Sequence, residues 1–206
     1  MSEYDNDYLR IVVDPDNRNG PRVGSSFGEN CELEAIPDDD IRALDPSMVA
    51  YYDRMVLEFD IKIDSVGDIN GSGSNFLRID FGDGYGSNNV KGEINLMKTE
   101  YENYYCFQGF YPLEGVTSPL FKYGSWYNLR FEYLQWAREQ GEGFSACLVY
   151  VNGVLMGKAT GMGNDGYRYQ VSTASIVPRN LCTNLVVGID NFFVGRNFET
   201  INIESE

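Results

Sequence analysis

From Arg54 to Asp64 hydrophobic and polar residues alternate. Leu57, Phe59, Ile61 and Ile63 fall on one side of an extended chain, and Glu58, Asp60, Lys62 and Asp64 on the other. A period of two predicts a strand with one buried face. The same alternation recurs at Asn75 to Phe81, where Leu77, Ile79 and Phe81 oppose Arg78 and Asp80, and at Trp126 to Leu134, where Leu129, Phe131 and Tyr133 share a face. Phe144 to Val151 and Val154 to Ala159 flank Asn152-Gly153, a dipeptide suited to a two-residue hairpin turn that needs positive φ at both central positions. Leu185 to Val194 is apolar on both faces and predicts a central, doubly covered strand. Shorter strands are expected at Leu9 to Val13, Arg22 to Phe27, Cys31 to Ile36, Gly92 to Lys98, Tyr104 to Tyr111, Tyr169 to Val177 and Phe198 to Ile203. Gly-, Asn- and Pro-rich stretches separate them, and Gln135 to Gly143 reads as a polar connection. No amphipathic helix is evident, so the expected fold is all-β, an antiparallel β-sandwich of the jelly-roll type. With no repeat, linker or shift in composition, residues 1–206 read as one domain.

Composition adds support and exclusions. Aromatics make up 14% of the chain, which suits sheet packing. The net charge of −15 opposes nucleic-acid binding and attachment to an anionic membrane. No run of apolar residues is long enough to insert into a membrane. The chain has no His, which removes Ser-His and Cys-His nucleophile pairs and the commonest transition-metal ligand. Cys31, Cys106, Cys147 and Cys182 form no C-x-x-C pair; reduced, buried thiols are the favoured expectation, and at least one disulfide is the alternative. The segment MSEYDNDYLRIVVDPD lacks the apolar stretch of a secretory signal. With Met1 as the natural start, the expected location is a virion surface, or a cell surface or the extracellular space if the chain is cut from a longer parent.

In order along the chain, an early IVVDP turn, the strand VLEFDIKID, the pair YGSWYNLRFEYL and LVYVNGVLMG, and the late strand VVGIDNFFVG together resemble the concanavalin A-like lectin/glucanase superfamily, especially its laminin-G-like members. The resemblance implies two stacked antiparallel sheets. It implies no single activity, because lectins, glycosidases, adhesins and virion proteins share that architecture.

Candidate sites follow from these patterns. Glu58-Phe59-Asp60 resembles the start of the carboxylate motif of the superfamily's glucanases, but Lys62 and Ile63 stand where the later Glu belongs, so a salt-bridged sheet face is expected instead. Asp190-Asn191 resembles a late-strand pair that helps hold structural calcium in carbohydrate-binding jelly rolls, with Asp14, Asp16 and Asn17 as companions if the first strand pairs late. Asp80, Asp83 and Asn88 are a second calcium candidate; Asp and Asn that bond their own turns are the alternative for both. Tyr85, Tyr104, Trp136 and Tyr167 are candidate stacking platforms for sugar rings. Trp126 is expected in the core, and Tyr105, Phe107 and Tyr111 in core or inter-subunit packing.

The sequence therefore points to a non-enzymatic module of surface recognition or assembly. The first expectation is a virion subunit such as a phage head decoration or fibre protein. It would self-associate or dock on a capsid, and hold glycans. The alternative is a carbohydrate-binding module or lectin, and the third reading is a glycoside hydrolase or lyase. No cofactor is required beyond structural calcium.

Overall fold

A computed structural model describes residues 9–13, 23–26, 48–69, 74–82, 90–138, 143–159, 173–179, 182 and 184–196. Among them thirteen strands are found: β1 (Leu9–Val13), β2 (Val23–Ser26), β3 (Met48–Ser65), β4 (Asn75–Gly82), β5 (Val90–Lys98), β6 (Tyr104–Gln108), β7 (Phe110–Pro112), β8 (Leu120–Lys122), β9 (Trp126–Arg138), β10 (Gly143–Val151), β11 (Val154–Ala159), β12 (Thr173–Pro178) and β13 (Leu185–Arg196). They build a seven-stranded sheet in the order β1-β13-β3-β9-β10-β11-β7 and a six-stranded sheet in the order β2-β12-β4-β5-β6-β8. Every pairing is antiparallel. The two antiparallel sheets stack as a β-sandwich, held by one core between them.

The alternating positions supply that core. Leu57, Phe59, Ile61 and Ile63 of β3 are fully buried beside Leu129 and Phe131 of β9, and they face Leu77, Ile79 and Phe81 of β4. The Phe59 ring lies 6.0 Å from Phe131 and 6.2 Å from Phe192, and Phe81 stacks on Tyr133 at 5.3 Å. The hairpin forms as expected: Asn152 and Gly153 have φ of 50° and 77°, which match the right-handed twist of the flanking strands. The late strand is central, between β1 and β3.

Several expectations are corrected. Trp126 is 42% exposed, because the odd-numbered positions of β9 point inward and leave Trp126 on the outer face, over Lys62. Tyr127 takes the inward place, with its ring 5.0 Å from Phe121. Tyr105 and Phe107 are buried in the core, and Tyr111, at 60% exposed, lies outside it. The run from Tyr104 to Tyr111 breaks at Gly109, whose φ of 74° lets the chain leave the six-stranded sheet and enter the other as β7. β7 then lies so close over Gly157 that a Cβ there would collide with the Tyr111 carbonyl. Strand β9 continues to Arg138, so the polar Gln135 to Gly143 connection is shorter than expected, and β8 was not anticipated. Cys31 to Ile36 and Phe198 to Ile203 lie outside the described residues.

At one end of the sandwich Tyr105 stacks on Phe121 at 5.1 Å and tilts against Tyr123 at 5.2 Å. Its buried hydroxyl has no hydrogen-bond partner. Burial, then the neighbouring Tyr127 and Tyr123, pushes the Tyr105 phenol far above 10.0, the ordinary tyrosine value, and burial pushes Tyr123 up to about 12. Above 10.0 the unfolded chain loses these protons while the folded chain keeps them. The contribution to stability is whole below that pH and falls as pH rises toward 12. Urea midpoints measured from neutral to strongly alkaline pH should therefore drop beyond pH 10, and Tyr123→Phe should make the drop shallower; equal slopes in the two proteins would show that Tyr123 contributes nothing.

Candidate functional site

A strand buries the residues that face the core, and those on the other face belong to water unless something else shields them. The outer face of the six-stranded sheet breaks this pattern. Asp80 is 4% exposed, Asn95 7% and Ser175 3%, although their strand neighbours Ile79, Phe81, Ile94, Leu96, Ala174 and Ile176 take the inward positions. The ladders set these polar residues in rows. Ser175 faces Asp80, and Asp80 faces Glu93. One row on, Val177 faces Arg78, Arg78 faces Asn95 and Asn95 faces Gln108. Toward the sheet edge Tyr104 faces Lys122 and Cys106 faces Leu120.

Arg78 organises the first two rows. Its Nε and Nη2 grip the Asp80 carboxylate, two residues away on the same face, and its Nη1 lies 3.4 Å from Glu93 Oε2. Arg179, just beyond β12, donates from Nη2 to the same Glu93 oxygen at 2.9 Å, while its backbone N–H, bonded to the Phe76 carbonyl, anchors it to β4. Asn95 Nδ2 donates to Glu93 Oε1 at 3.3 Å. Its Oδ1 is buried and has no donor. An unpaired buried acceptor costs free energy, and such a group in a native fold calls for a functional or solvent-based account.

The outer face of the seven-stranded sheet holds a separate network. Asn128 Nδ2 donates to Glu58 Oε1 at 3.2 Å and to Asp60 Oδ1 at 3.0 Å. Arg130 pairs with Glu58 at 3.3 Å and with Glu132. Glu58 thus sits on the salt-bridged face that its sequence suggested. Asn191, with φ of 49° at a bulge in β13, donates from Nδ2 to Asp60 Oδ2 at 2.6 Å, and its backbone N–H bonds Asp190 Oδ1 at 2.8 Å.

The sequence candidates divide accordingly. Tyr104 is 38% exposed at the edge of the six-stranded outer face. Trp136 lies on β9 opposite Tyr51 and Phe144. Asp80 and Asp190 stand on different sheets, in strands β4 and β13. Strand β1 does pair with β13, with Val13 facing Leu185 and Leu9 facing Ile189. Asp14, Asp83, Tyr85 and Tyr167 lie outside the described residues, as do Asp16, Asn17, Asn88 and Cys31. Both Asp60 oxygens and both Asp80 oxygens already face protein donors, and among the described residues no three carboxylates or thiols gather as cation ligands. The calcium reading draws on Asp14 and Asp83, outside the described residues, and no step below uses a metal. Cys106 and Cys147 are free thiols, and Cys182 is buried.

Glu93, Asn95 and Arg179 were missed. The alternation in GEINLM does place Glu93 and Asn95 on one face, but which strand lies beside them is not written in that segment.

No protein-family model and no curated protein sequence matches the chain. Solved structures resemble its fold. An alginate lyase from Chlorella virus is 12% identical over 94% of this chain and 87% of its own, with a TM-score of 0.46. A carbohydrate esterase from the Shiga toxin-encoding bacteriophage phi24B is 10% identical over 90% and 96%, with a TM-score of 0.39. The metal-free lectin I-B4 from Griffonia simplicifolia is 9% identical over 92% and 88%, with a TM-score of 0.40. The expectation of a non-enzyme is corrected by this result, since lyases and an esterase stand among the similar structures beside lectins.

Proposed function

We propose that the outer face of the six-stranded sheet binds carbohydrate. The observation that carries this reading is the row of buried polar side chains on that face, ending in an Asn95 oxygen without a donor. Planar amide, carboxylate and guanidinium groups held rigidly on adjacent strands suit the fixed spacing of sugar hydroxyls. Tyr104 and Leu120, exposed toward the β8 edge, add an apolar shelf for the ring face of a sugar.

Turnover at the same face is a second reading, favoured by one observation. Asp80 and Glu93 face each other across β4 and β5, and a pair of carboxylates is what cleavage of a glycosidic bond uses. Display on a virion, the finer expectation from the sequence, concerns where such a module is carried; co-sedimentation with purified particles tests it.

The decisive comparison sets one face against the other. Retention of the protein on immobilised polysaccharides should be lost in Glu93→Ala and kept in Glu58→Ala. Loss in Glu58→Ala with retention in Glu93→Ala would move the site to the seven-stranded sheet and refute the proposal. For the second reading, release of reducing ends should disappear in Glu93→Gln.

A further inference from the structure

We infer that the six-stranded face holds an extended stretch of a polysaccharide, laid along β5 and β6, rather than a single terminal sugar. The inference rests on reading that face as a carbohydrate site. It follows from where the exposed groups of the face stand along the strands.

Those groups gather at two ends. At one end Glu93 has 38% of its side chain exposed and Arg179 has 29%. Arg179 directs Nη2 to Glu93 and keeps further guanidinium donors for a ligand. Gln108, exposed on β6 as the strand partner of Asn95, adds an amide donor and an amide acceptor. A sugar hydroxyl both donates and accepts, so it suits this mixed end. At the other end Tyr104 and Leu120 are exposed, and Lys122, exposed on β8, is the strand partner of Tyr104. The Tyr104 ring suits the apolar face of a sugar, and Lys122 adds a donor beside it.

The ladders fix the interval between the ends. Along β6, Gln108 and Tyr104 are separated by about 13 Å at the rise of an extended strand. From Glu93 on β5, the way to Leu120 runs down the strand to Met97 and then across Cys106 to β8, a separation of about 16 Å. Met97 and Cys106 pair side by side in that interval, and neither is charged. One sugar ring is too small to touch both ends, whereas a run of linked rings spans them. A glycan lying across the strands would follow one ladder row and meet one end only. Each end alone offers a few hydrogen bonds or one stacked ring. Joined through one ligand, the two ends add their contributions while the cost of immobilising a second molecule is avoided.

The experiment is calorimetric titration of the full chain with di-, tetra- and hexasaccharides of β-glucan, mannan, galactan and polyuronate. At least one hexasaccharide should bind, and bind at least about tenfold more tightly than its own disaccharide. Against that hexasaccharide, Arg179→Ala and Tyr104→Ala should each weaken binding about tenfold, the loss of one charged hydrogen bond or one stacked ring. The double variant should lose about a hundredfold, because groups this far apart do not couple. Tyr104→Phe keeps the ring and should bind as the parent does. Both positions are partly exposed, and Gln108→Ala, another exposed change at the polar end, keeps the test open if Arg179→Ala does not fold. A disaccharide that binds as tightly as its hexasaccharide would overturn the extended-chain assignment and leave the carbohydrate reading standing. A hexasaccharide weakened at one end only, or at neither, would do the same. No binding by any member of the series would overturn the carbohydrate reading itself, and this inference with it.

Discussion

Phe59→Ala should cost about 3 to 5 kcal/mol of folding stability, the range for truncating a buried aromatic. Phe59 is fully buried near the middle of β3, a strand with neighbours on both sides. Its ring contacts Phe131 on β9 and Phe192 on β13, so one truncation opens a void among three adjacent strands. The strands are tied by backbone ladders and cannot close over the gap freely, which keeps the cost near the upper part of that range. The control is Glu58→Ala, one residue away. Glu58 points out, is about one-third exposed and pairs with Arg130 at 3.3 Å. Exposed pairs of that kind contribute roughly 0 to 1 kcal/mol. Urea unfolding of both variants reads the difference, and equal losses would mean that β3 does not present alternate faces to core and solvent.

Arg78→Met should destabilise the protein by about 3 to 5 kcal/mol, because it takes the two-pronged guanidinium away from a buried carboxylate. Asp80 has only 5% of its side chain exposed, and Arg78 reaches both of its carboxylate oxygens, from Nε and Nη2. Glu93 would keep Arg179 at 2.9 Å, so the damage concentrates at Asp80. Adding Asp80→Asn to Arg78→Met removes the buried negative charge that Arg78 neutralised and should recover a large part of the loss. A double-mutant cycle on urea midpoints measures the coupling. Additive losses would show that Arg78 and Asp80 act independently. The same pair bears on function, since a weakened Arg78 frees Glu93 to move and blurs the face on which the glycan is proposed to lie.

The two variants also show what could be read in advance. Burial of Phe59 was visible in the alternation of Arg54 to Asp64, because the pleat sends successive side chains to opposite faces whatever the rest of the chain does. The outward direction of Arg78 and Asp80 was equally visible in FLRID. Their partners were not. Glu93 lies thirteen residues beyond Asp80 and Arg179 another 86 beyond Glu93, and only the β4–β5 and β4–β12 ladders bring them together. Trp126 was misplaced for a simpler reason: it begins an alternating strand and was assigned to the core, but the phase set by Leu129, Phe131 and Tyr133 sends it outward.

The sequence by itself determined the all-β class, most of the strands, the hairpin at Asn152-Gly153 and the inward or outward sense of their residues. Each depends on local chemistry, namely the period of two, backbone φ at turns and the punctuation by Gly, Asn and Pro. Tertiary structure decided which strands became neighbours, the switch of sheets at Gly109 and the division of Glu58 and Asp80 between opposite faces of the sandwich. Register between strands far apart in the chain is selected by packing of the whole core rather than by any one segment. The polar face around Asn95 therefore exists only once both sheets have closed.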